Sequence, residues 1–293
     1  MNKPTISLVL SSGGARGLAH IGIIEWLDEN GFDIQSIAGS SMGALIGGVY
    51  AAGKLDEYKN WVVALEKMDV IRLLDLSYTS RSLFKGERII ETLRHLIGDY
   101  IIEDLPVSYT AVATDIDAGR EIWLNRGSLW DAIRASIAIP TIFLPVTYKG
   151  KRLVDGGLIN PVPIAPTLND KTDLTIAVNL SAKSEAKYNI TRMENIKTTN
   201  STFYHQRIAD FIDGLQQKFI KSKPEEPGFF EVMEKSLDTM EGTIARFKLA
   251  AYSPDIIIDV PANVCAFYEF NRARELIDIG RQKANEALGH LAG

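Results

Sequence analysis

The chain has 293 residues, enough to bury a large core in one α/β domain, and 46% of its residues are hydrophobic. Its formal net charge of −5 argues against nucleic acid as a partner and against generic attraction to anionic lipid. A single cysteine excludes an intramolecular disulfide and fits a reducing compartment. The first apolar run, at 6–10, is too short for a signal peptide, and no stretch has the length of a membrane span. We therefore expect a cytoplasmic protein, at most peripheral to a membrane.

Strand-like and helix-like segments alternate along the chain. Apolar runs and alternation predict strands at 5–10, 34–38, 108–114, 121–124, 152–154, 174–180 and 255–260. Helical periodicity predicts helices at 17–30, 42–53, 55–66, 86–97, 128–136, 201–221, 229–249 and 267–288. This alternation favours an α/β fold with three layers, α/β/α, around a mostly parallel central sheet. Loops at the carboxyl ends of the strands carry the site in such folds.

A glycine-rich loop at 13–17 joins the first predicted strand to the first predicted helix. Such a loop points several backbone N–H groups at one place, which suits a phosphate or the oxyanion of a tetrahedral intermediate. The spacing matches neither the G-x-G-x-x-G fingerprint nor a P-loop, which disfavours nucleotide binding. The expected oxyanion-hole donors are the amides of Gly13, Gly14, Ala15 and Arg16. For the Arg16 side chain, the sequence favours two roles equally: a structural one, in which it pairs with backbone carbonyls, and contact with the substrate.

The second predicted strand turns into a helix of small apolar residues through a G-x-S-x-G sequence centred on Ser41. A sharp strand-to-helix turn brings two backbones close together, so glycine belongs at Gly39 and Gly43. Ser41 then stands at the apex, above a helix N-terminus, in the geometry of a nucleophile elbow. The simpler alternative is a glycine-rich turn that lets the helix pack on the sheet.

A third glycine-containing turn begins at Asp155, which ends a short apolar run and precedes Gly156 and Gly157. Taken alone, Asp-Gly favours a tight hairpin turn. A functional role for Asp155 is favoured when its turn is considered together with the glycine loop and the elbow, as the third motif of a set.

This set resembles the patatin-like phospholipase family, whose pattern is a Gly-Gly-x-Arg/Lys-Gly loop, a G-x-S-x-G elbow and a downstream Asp-Gly-Gly/Ala. Supporting blocks similar to the family's lie at 113–115, 132–140 and 145–146, and the resemblance covers 5–181 well. It implies a patatin-like fold and a bacterial-type acyl hydrolase of fatty acyl esters, phospholipids or lysophospholipids. Ser41 would attack the acyl carbonyl, Asp155 would accept the serine proton, and an acyl-enzyme would form. We expect no cofactor and no metal ion.

Histidine is the usual base for a serine nucleophile, and the chain has four, His20, His95, His205 and His290. None lies in a glycine-flanked loop after the elbow, and His20 falls among apolar neighbours, where a packing role is more common. A Ser-His-Asp triad is therefore poorly supported, and the dyad of Ser41 and Asp155 is favoured. Because a carboxylate is a weak base at neutral pH, Asp155 should be partly desolvated and bonded directly to Ser41.

We expect one hydrolase domain over 1–293, with a helical insertion or cap at 183–228. An amphipathic stripe within it consists of Ile208, Phe211, Ile212, Leu215 and Phe219. Packing of this 201–221 helix on the protein's own core is favoured. The alternatives are a homodimer contact, a cap over an acyl-binding cleft, and peripheral contact with a lipid surface.

Two other features are expected to be structural. Cys265 sits among apolar residues and is predicted to be a small buried hydrophobe. Residues 115–119 lack the spacing of an EF-hand and are predicted to form a turn between strands. The alternative to an enzyme is a non-catalytic regulatory or interaction protein that keeps the same fold, and a nucleotide-binding module ranks third.

Overall fold

The computed structural model describes residues 4–66, 69, 84–188 and 229–291. Its strands are β1 (Thr5–Leu10), β2 (Asp33–Ser40), β3 (Ser108–Asp115), β4 (Arg120–Leu124), β5 (Val146–Tyr148), β6 (Lys151–Asp155), β7 (Leu174–Ala182) and β8 (Ile256–Pro261). Its principal helices are α1 (Ala19–Glu29), α2 (Met42–Ala51), α3 (Leu55–Ala64), α4 (Glu87–Ile97), α5 (Leu129–Ser136), α6 (Phe229–Tyr252) and α7 (Ala273–Leu288).

Across the described ranges, these eight strands form one sheet in the order β5-β6-β3-β2-β1-β7-β8, with β4 also paired to β3. Neighbours among β1, β2, β3, β7 and β8 run parallel. In contrast, β4 and β6 run antiparallel to β3, and β5 runs antiparallel to β6. The predicted α/β fold, with helices around a mostly parallel central sheet, is confirmed.

The central strand β1 is apolar on both faces because helices cover both faces of the sheet. Leu8 and Leu10 belong to the main core, which includes side chains of α1, α2, α5 and α7. Val9 points the other way and joins a smaller cluster with Ala177 of β7 and Ala245 of α6. A parallel strand covered on both faces is expected to have such an uninterrupted apolar sequence.

The C-terminal helix α7 packs on α1 at backbone contact distance. A Cβ atom added to Gly22 would lie 1.9 Å from the carbonyl oxygen of Ile277. One added to Gly280 would lie 2.0 Å from the carbonyl oxygen of Ala19. The two ends of the chain are thus joined by a contact that tolerates no side chain at either glycine.

Some helix boundaries differ from the prediction where the backbone forms a 3-10 turn. Gly14–Leu18 is a 3-10 helix, so α1 begins at Ala19 rather than at 17. Phe270–Arg272 forms another, so α7 begins at Ala273 rather than at 267. The edge strand β5 was not predicted, since three residues are too few for alternation to be recognised.

The predicted helix at 201–221, with its apolar stripe, lies outside the described residues, as does most of the predicted insertion at 183–228. Among the helices that the structure does describe, none has both the length and the apolar character needed to cross a bilayer.

Candidate active site

Ser41 occupies the single residue between β2 and α2, in a conformation that non-glycine residues rarely adopt. Its φ and ψ are 53° and −122°. Such a backbone costs on the order of 1–3 kcal/mol and persists only where surrounding contacts hold it. The Ser41 amide donates to Ser136 Oγ at 3.0 Å, and the Ser136 hydroxyl donates to the Val112 carbonyl at 2.6 Å. Ser136 therefore ties the strained turn to β3.

The two glycines of the elbow are required by close backbone approach. A Cβ at Gly39 would lie 2.4 Å from the carbonyl oxygen of Gly43. A Cβ at Gly43 would lie 2.1 Å from the carbonyl oxygen of Leu10, on β1. The predicted steric reason for these glycines therefore applies, although Gly43 is crowded by the neighbouring strand rather than by Gly39.

Asp155 reaches Ser41 because β2 and β6 meet end to end along one edge of β3. Ser40, the last residue of β2, pairs with Val112, and Asp155, the last residue of β6, pairs with Ala113. Strand β4 occupies the opposite edge at both Val112 and Ala113. Since β6 runs antiparallel to β3 and β2 runs parallel to it, their carboxyl ends converge, and Ser41 follows directly.

The two side chains are in direct contact. Ser41 Oγ donates to Asp155 Oδ2 at 2.6 Å, and the amide of Gly157 donates to Asp155 Oδ1 at 2.7 Å. The Asp155 backbone is fixed by bonds to the Ala138 carbonyl and from the Thr114 hydroxyl, both 2.9 Å long. Ser41 and Asp155 are each only 4% exposed. Both oxygens of the carboxylate are therefore held by hydrogen bonds, and one of these bonds comes from Ser41.

The environment makes Asp155 a stronger base than an ordinary carboxylate. Burial, and then the nearby Glu241 carboxyl, raise the pKa of Asp155 from 3.8 to about 8, against the opposing effect of the hydrogen bonds from Ser41 and Gly157. General bases work best when their pKa lies near the working pH. Asp155 can therefore accept the hydroxyl proton of Ser41 while the serine oxygen attacks an electrophile.

The glycine loop packs directly against the elbow. A Cβ at Gly17 would lie 2.4 Å from Met42 Cβ, the residue after Ser41. The amide of Ala15 donates to the Phe267 carbonyl at 2.8 Å, and that of Arg16 donates to the Gly13 carbonyl at 3.2 Å. Two of the four predicted oxyanion-hole amides are thus engaged within the protein.

The Arg16 side chain makes the contacts of the structural role. It is 1% exposed. Its guanidinium donates to the carbonyls of Gly13 and Ala262 at 3.1 and 3.0 Å, and to Asp238 Oδ1 at 2.6 Å. The arginine therefore fastens the glycine loop to β8's end and to α6.

No histidine in the described part of the chain contacts Ser41. His20 is fully buried and donates from Nε2 to the Ser11 carbonyl at 2.9 Å. Burial lowers the pKa of His20 to about 4, so the ring is neutral near pH 7. His95 and His290 are exposed on or beside α4 and α7. His205 lies outside the described residues.

Two residues of this site were missed by sequence reasoning. Ser136 falls inside the block at 132–140 that resembles the family, but no pattern there indicates a contact with Ser41. Glu241 of α6 accepts a hydrogen bond from the Ser12 hydroxyl at 2.7 Å and lies close to Asp155. It stands in an ordinary helical sequence, so no signal in the sequence singles it out.

The other singled-out residues lie outside the site. Cys265 is buried, and its burial raises the thiol pKa to about 12. Residues 115–119 form the turn between β3 and β4, closed by the Gly119 amide donating to the Asp115 carbonyl at 2.9 Å. Over the ranges described, no group of three or more His, Cys, Asp or Glu side chains is arranged so that it could hold a metal ion.

Comparison with known proteins identifies the family to which this chain is related. The family model for patatin-like phospholipases matches residues 8–168, which include the glycine loop, the elbow and Asp155. An uncharacterized NTE family protein of Mycobacterium tuberculosis H37Rv is 39% identical over 333 aligned residues, covering 98% of this chain and 92% of that protein.

More distant relatives share only part of their length. The neuropathy target esterase sws of Drosophila melanogaster is 32% identical over 188 residues, which cover 62% of this chain and 13% of that protein. Among solved structures, VipD from Legionella pneumophila aligns with 98% of this chain and 67% of its own at 15% identity, with a TM-score of 0.43, too low to bear on activity. From the family match and the near full-length relative, the chain belongs to the patatin-like phospholipase family, a membership consistent with hydrolysis of lipid acyl esters.

Proposed function

We propose that this chain is a serine acyl hydrolase that cleaves fatty acyl esters, namely phospholipids or lysophospholipids, through a Ser41–Asp155 dyad. One observation carries the proposal: Ser41 Oγ donates a 2.6 Å hydrogen bond to a buried carboxylate, from a strained elbow. Membership of a phospholipase family supports the lipid class of the substrate. We assign the whole of 1–293 to one hydrolase domain, which takes its substrate by peripheral contact with a lipid surface.

In the first half of the reaction, Ser41 Oγ attacks the ester carbonyl carbon and Asp155 accepts the hydroxyl proton. The carbonyl oxygen becomes an oxyanion, for which the amides of Gly13 and Gly14 are the donors we propose, since those of Ala15 and Arg16 are already engaged. When the tetrahedral intermediate collapses, the C–O bond to the leaving alcohol breaks, and the alcohol oxygen takes the proton from Asp155.

In the second half, Asp155 accepts a proton from a water molecule, whose oxygen attacks the acyl-enzyme carbonyl. Collapse of this second intermediate returns the proton to Ser41 Oγ and releases the fatty acid. The single carboxylate thus serves as base and acid in turn. The reaction needs no histidine and no metal ion.

A fluorescent fluorophosphonate probe, which labels activated serines, tests this proposal. Wild type should be labelled, Ser41→Ala should not, and Asp155→Asn should be labelled at least about 100-fold more slowly, the range of general-base effects. Ser40→Ala is the matched control, because Ser40 Oγ has no hydrogen-bond partner in the described chain. A folded wild type that resists the probe would instead favour the non-catalytic regulatory protein.

The lipid class needs its own measurement. We expect fatty acid release from vesicles of phosphatidylcholine or from micelles of lysophosphatidylcholine, lost in Ser41→Ala. Turnover of p-nitrophenyl butyrate with neither lipid cleaved would keep the dyad and refute the lipid substrate.

A further inference from the structure

Helix α6 contributes two carboxylates to the neighbourhood of the proposed dyad, although it lies outside the residues that the family model matches. Asp238 and Glu241 are one helical turn apart and therefore face the same way. Asp238 pairs with the buried Arg16 guanidinium at 2.6 Å, and Glu241 accepts from the Ser12 hydroxyl at 2.7 Å. Asp238 therefore contacts the glycine loop itself, and Glu241 contacts Ser12, the residue that precedes the loop.

Glu241 also contacts the turn that carries Asp155. A Cβ added to Gly157 would lie 2.9 Å from Glu241 Oε1 and 2.9 Å from the hydroxyl oxygen of Ser12. The amide of the same Gly157 holds Asp155 Oδ1 at 2.7 Å. Glu241 thus lies over Gly157, between the glycine loop and the aspartate turn.

We propose that Glu241 is a positioning residue of the active site: it holds the glycine loop against the aspartate turn, and its carboxylate beside Asp155 favours proton acceptance by that aspartate. The inference rests on the proposed dyad mechanism. The charged groups around Glu241 are Asp155, Arg16 of the glycine loop and Asp238 of the same helix. Burial, with a smaller contribution from Asp238, raises the pKa of Glu241, against the opposing effects of the hydrogen bond from Ser12 and of the Arg16 charge.

The sign of the charge effect follows from Coulomb repulsion. A second carboxylate nearby disfavours ionised Asp155 and so raises its pKa. Glu241→Gln removes the charge while keeping the length of the side chain and an oxygen that accepts from Ser12. The base should then ionise at lower pH but accept a proton less strongly.

The test is the rate of fluorophosphonate labelling between pH 5 and 10 in wild type and in Glu241→Gln. In Glu241→Gln, we expect the rising limb of the labelling rate against pH to lie about one pH unit lower than in wild type, and the plateau rate to be lower. Glu91→Gln, the same change at an exposed position of α4, should leave the limb in place. Coincident profiles, or an upward shift, would overturn the role of Glu241 while leaving the dyad intact; an unlabelled wild type would instead refute the dyad.

A second measurement requires no reaction. The pH range over which Asp155→Asn and wild type diverge in unfolding free energy reports the ionisation of Asp155. In the Glu241→Gln background, the divergence should stop growing at a lower pH, and an unchanged range would contradict the proposal. Should Glu241→Gln fail to fold, Ser12→Ala removes the bond that favours ionised Glu241, and the labelling limb should again move to lower pH.

Discussion

At the scale of single residues, the site gains its chemistry by burying an ionisable carboxyl group at a cost in stability. Asp155 is 4% exposed, and burial and Glu241 raise its pKa to about 8. Ser41 is held in a strained conformation by a bond to Ser136. Active sites commonly trade folding stability for reactivity in this way.

The raised pKa predicts an unusual pH dependence of stability. Between about pH 4 and pH 8 the folded state keeps a proton on Asp155 that the unfolded state has lost, so the free energy of unfolding falls as pH rises. Asp155→Asn never ionises and should be more stable than wild type at pH 9, by on the order of a few kcal/mol, with the gap narrowing toward pH 5.

Urea unfolding at pH 5, 7 and 9 measures this gap. Asp117→Asn is the control, because Asp117 is an exposed carboxyl whose pKa is lowered by its bond to Arg152. It should show no stabilisation at pH 9. A gap for Asp155→Asn that stays constant with pH would contradict the raised pKa.

A second residue-scale prediction concerns His20. We expect His20→Ala to lose about 2–4 kcal/mol of stability, because it leaves a cavity in the core. Each folded molecule should still be labelled at Ser41, since His20 bonds to the Ser11 carbonyl and not to Ser41. His95→Ala, at an exposed site, should change neither quantity. Loss of all labelling in a folded His20→Ala protein would indicate that histidine takes part in the chemistry.

At the scale of elements, the packing of β1 against α2 decides the elbow. Gly43 lies in the first turn of α2, and its Cα faces the carbonyl of Leu10 at the end of β1. Helix α6, by contrast, contains a glycine with room around it: a Cβ at Gly242 would meet nothing closer than 3.7 Å. The two helical glycines therefore differ in their surroundings.

This difference predicts opposite effects of the same substitution. Gly43→Ala should be destabilised by at least about 3 kcal/mol or fail to fold, since α2 must move away from β1. Gly242→Ala should be stabilised by about 0.5–1 kcal/mol, the advantage of alanine over glycine inside a helix. Thermal unfolding of both variants checks this. A Gly43→Ala protein as stable as wild type would show that the elbow is looser than the distances indicate.

At the scale of the whole molecule, the site depends on parts of the chain far beyond the family match at 8–168. Strand β7 pairs with the edge of the central strand β1. Helix α7 packs on α1, and the carbonyl of Phe267 fixes the amide of Ala15 in the glycine loop. Helix α6 supplies the partners of Arg16 and Ser12. These contacts connect the N-terminal and C-terminal parts of the described chain, as the proposed single hydrolase domain requires.

We therefore predict that a chain ending at residue 168 does not fold, because β1 would expose its unpaired edge and α1 its buried face. The full chain should unfold in a single transition, followed in parallel by circular dichroism and by loss of Ser41 labelling. A soluble 1–168 fragment with a cooperative transition would contradict the proposed single domain, as would two separate transitions of the full chain.

The sequence by itself was enough for several features that depend on local sterics and periodicity. The apolar run at 5–10 predicted β1 with its bounds, and the crowded turn predicted the glycines on either side of Ser41. The order of three glycine-containing motifs also indicated the family. The strand and each single motif are runs of neighbouring residues, so the pattern can be read from the sequence without knowledge of the packing.

Only the tertiary structure decided how those pieces meet. Ser41 and Asp155 are 114 residues apart, and they touch because β2 and β6 share one edge of β3. The engagement of the Ala15 amide and the place of Glu241 over Gly157 likewise depend on segments beyond residue 228. Register and helix docking are set by the packing of the whole core, which no local pattern encodes.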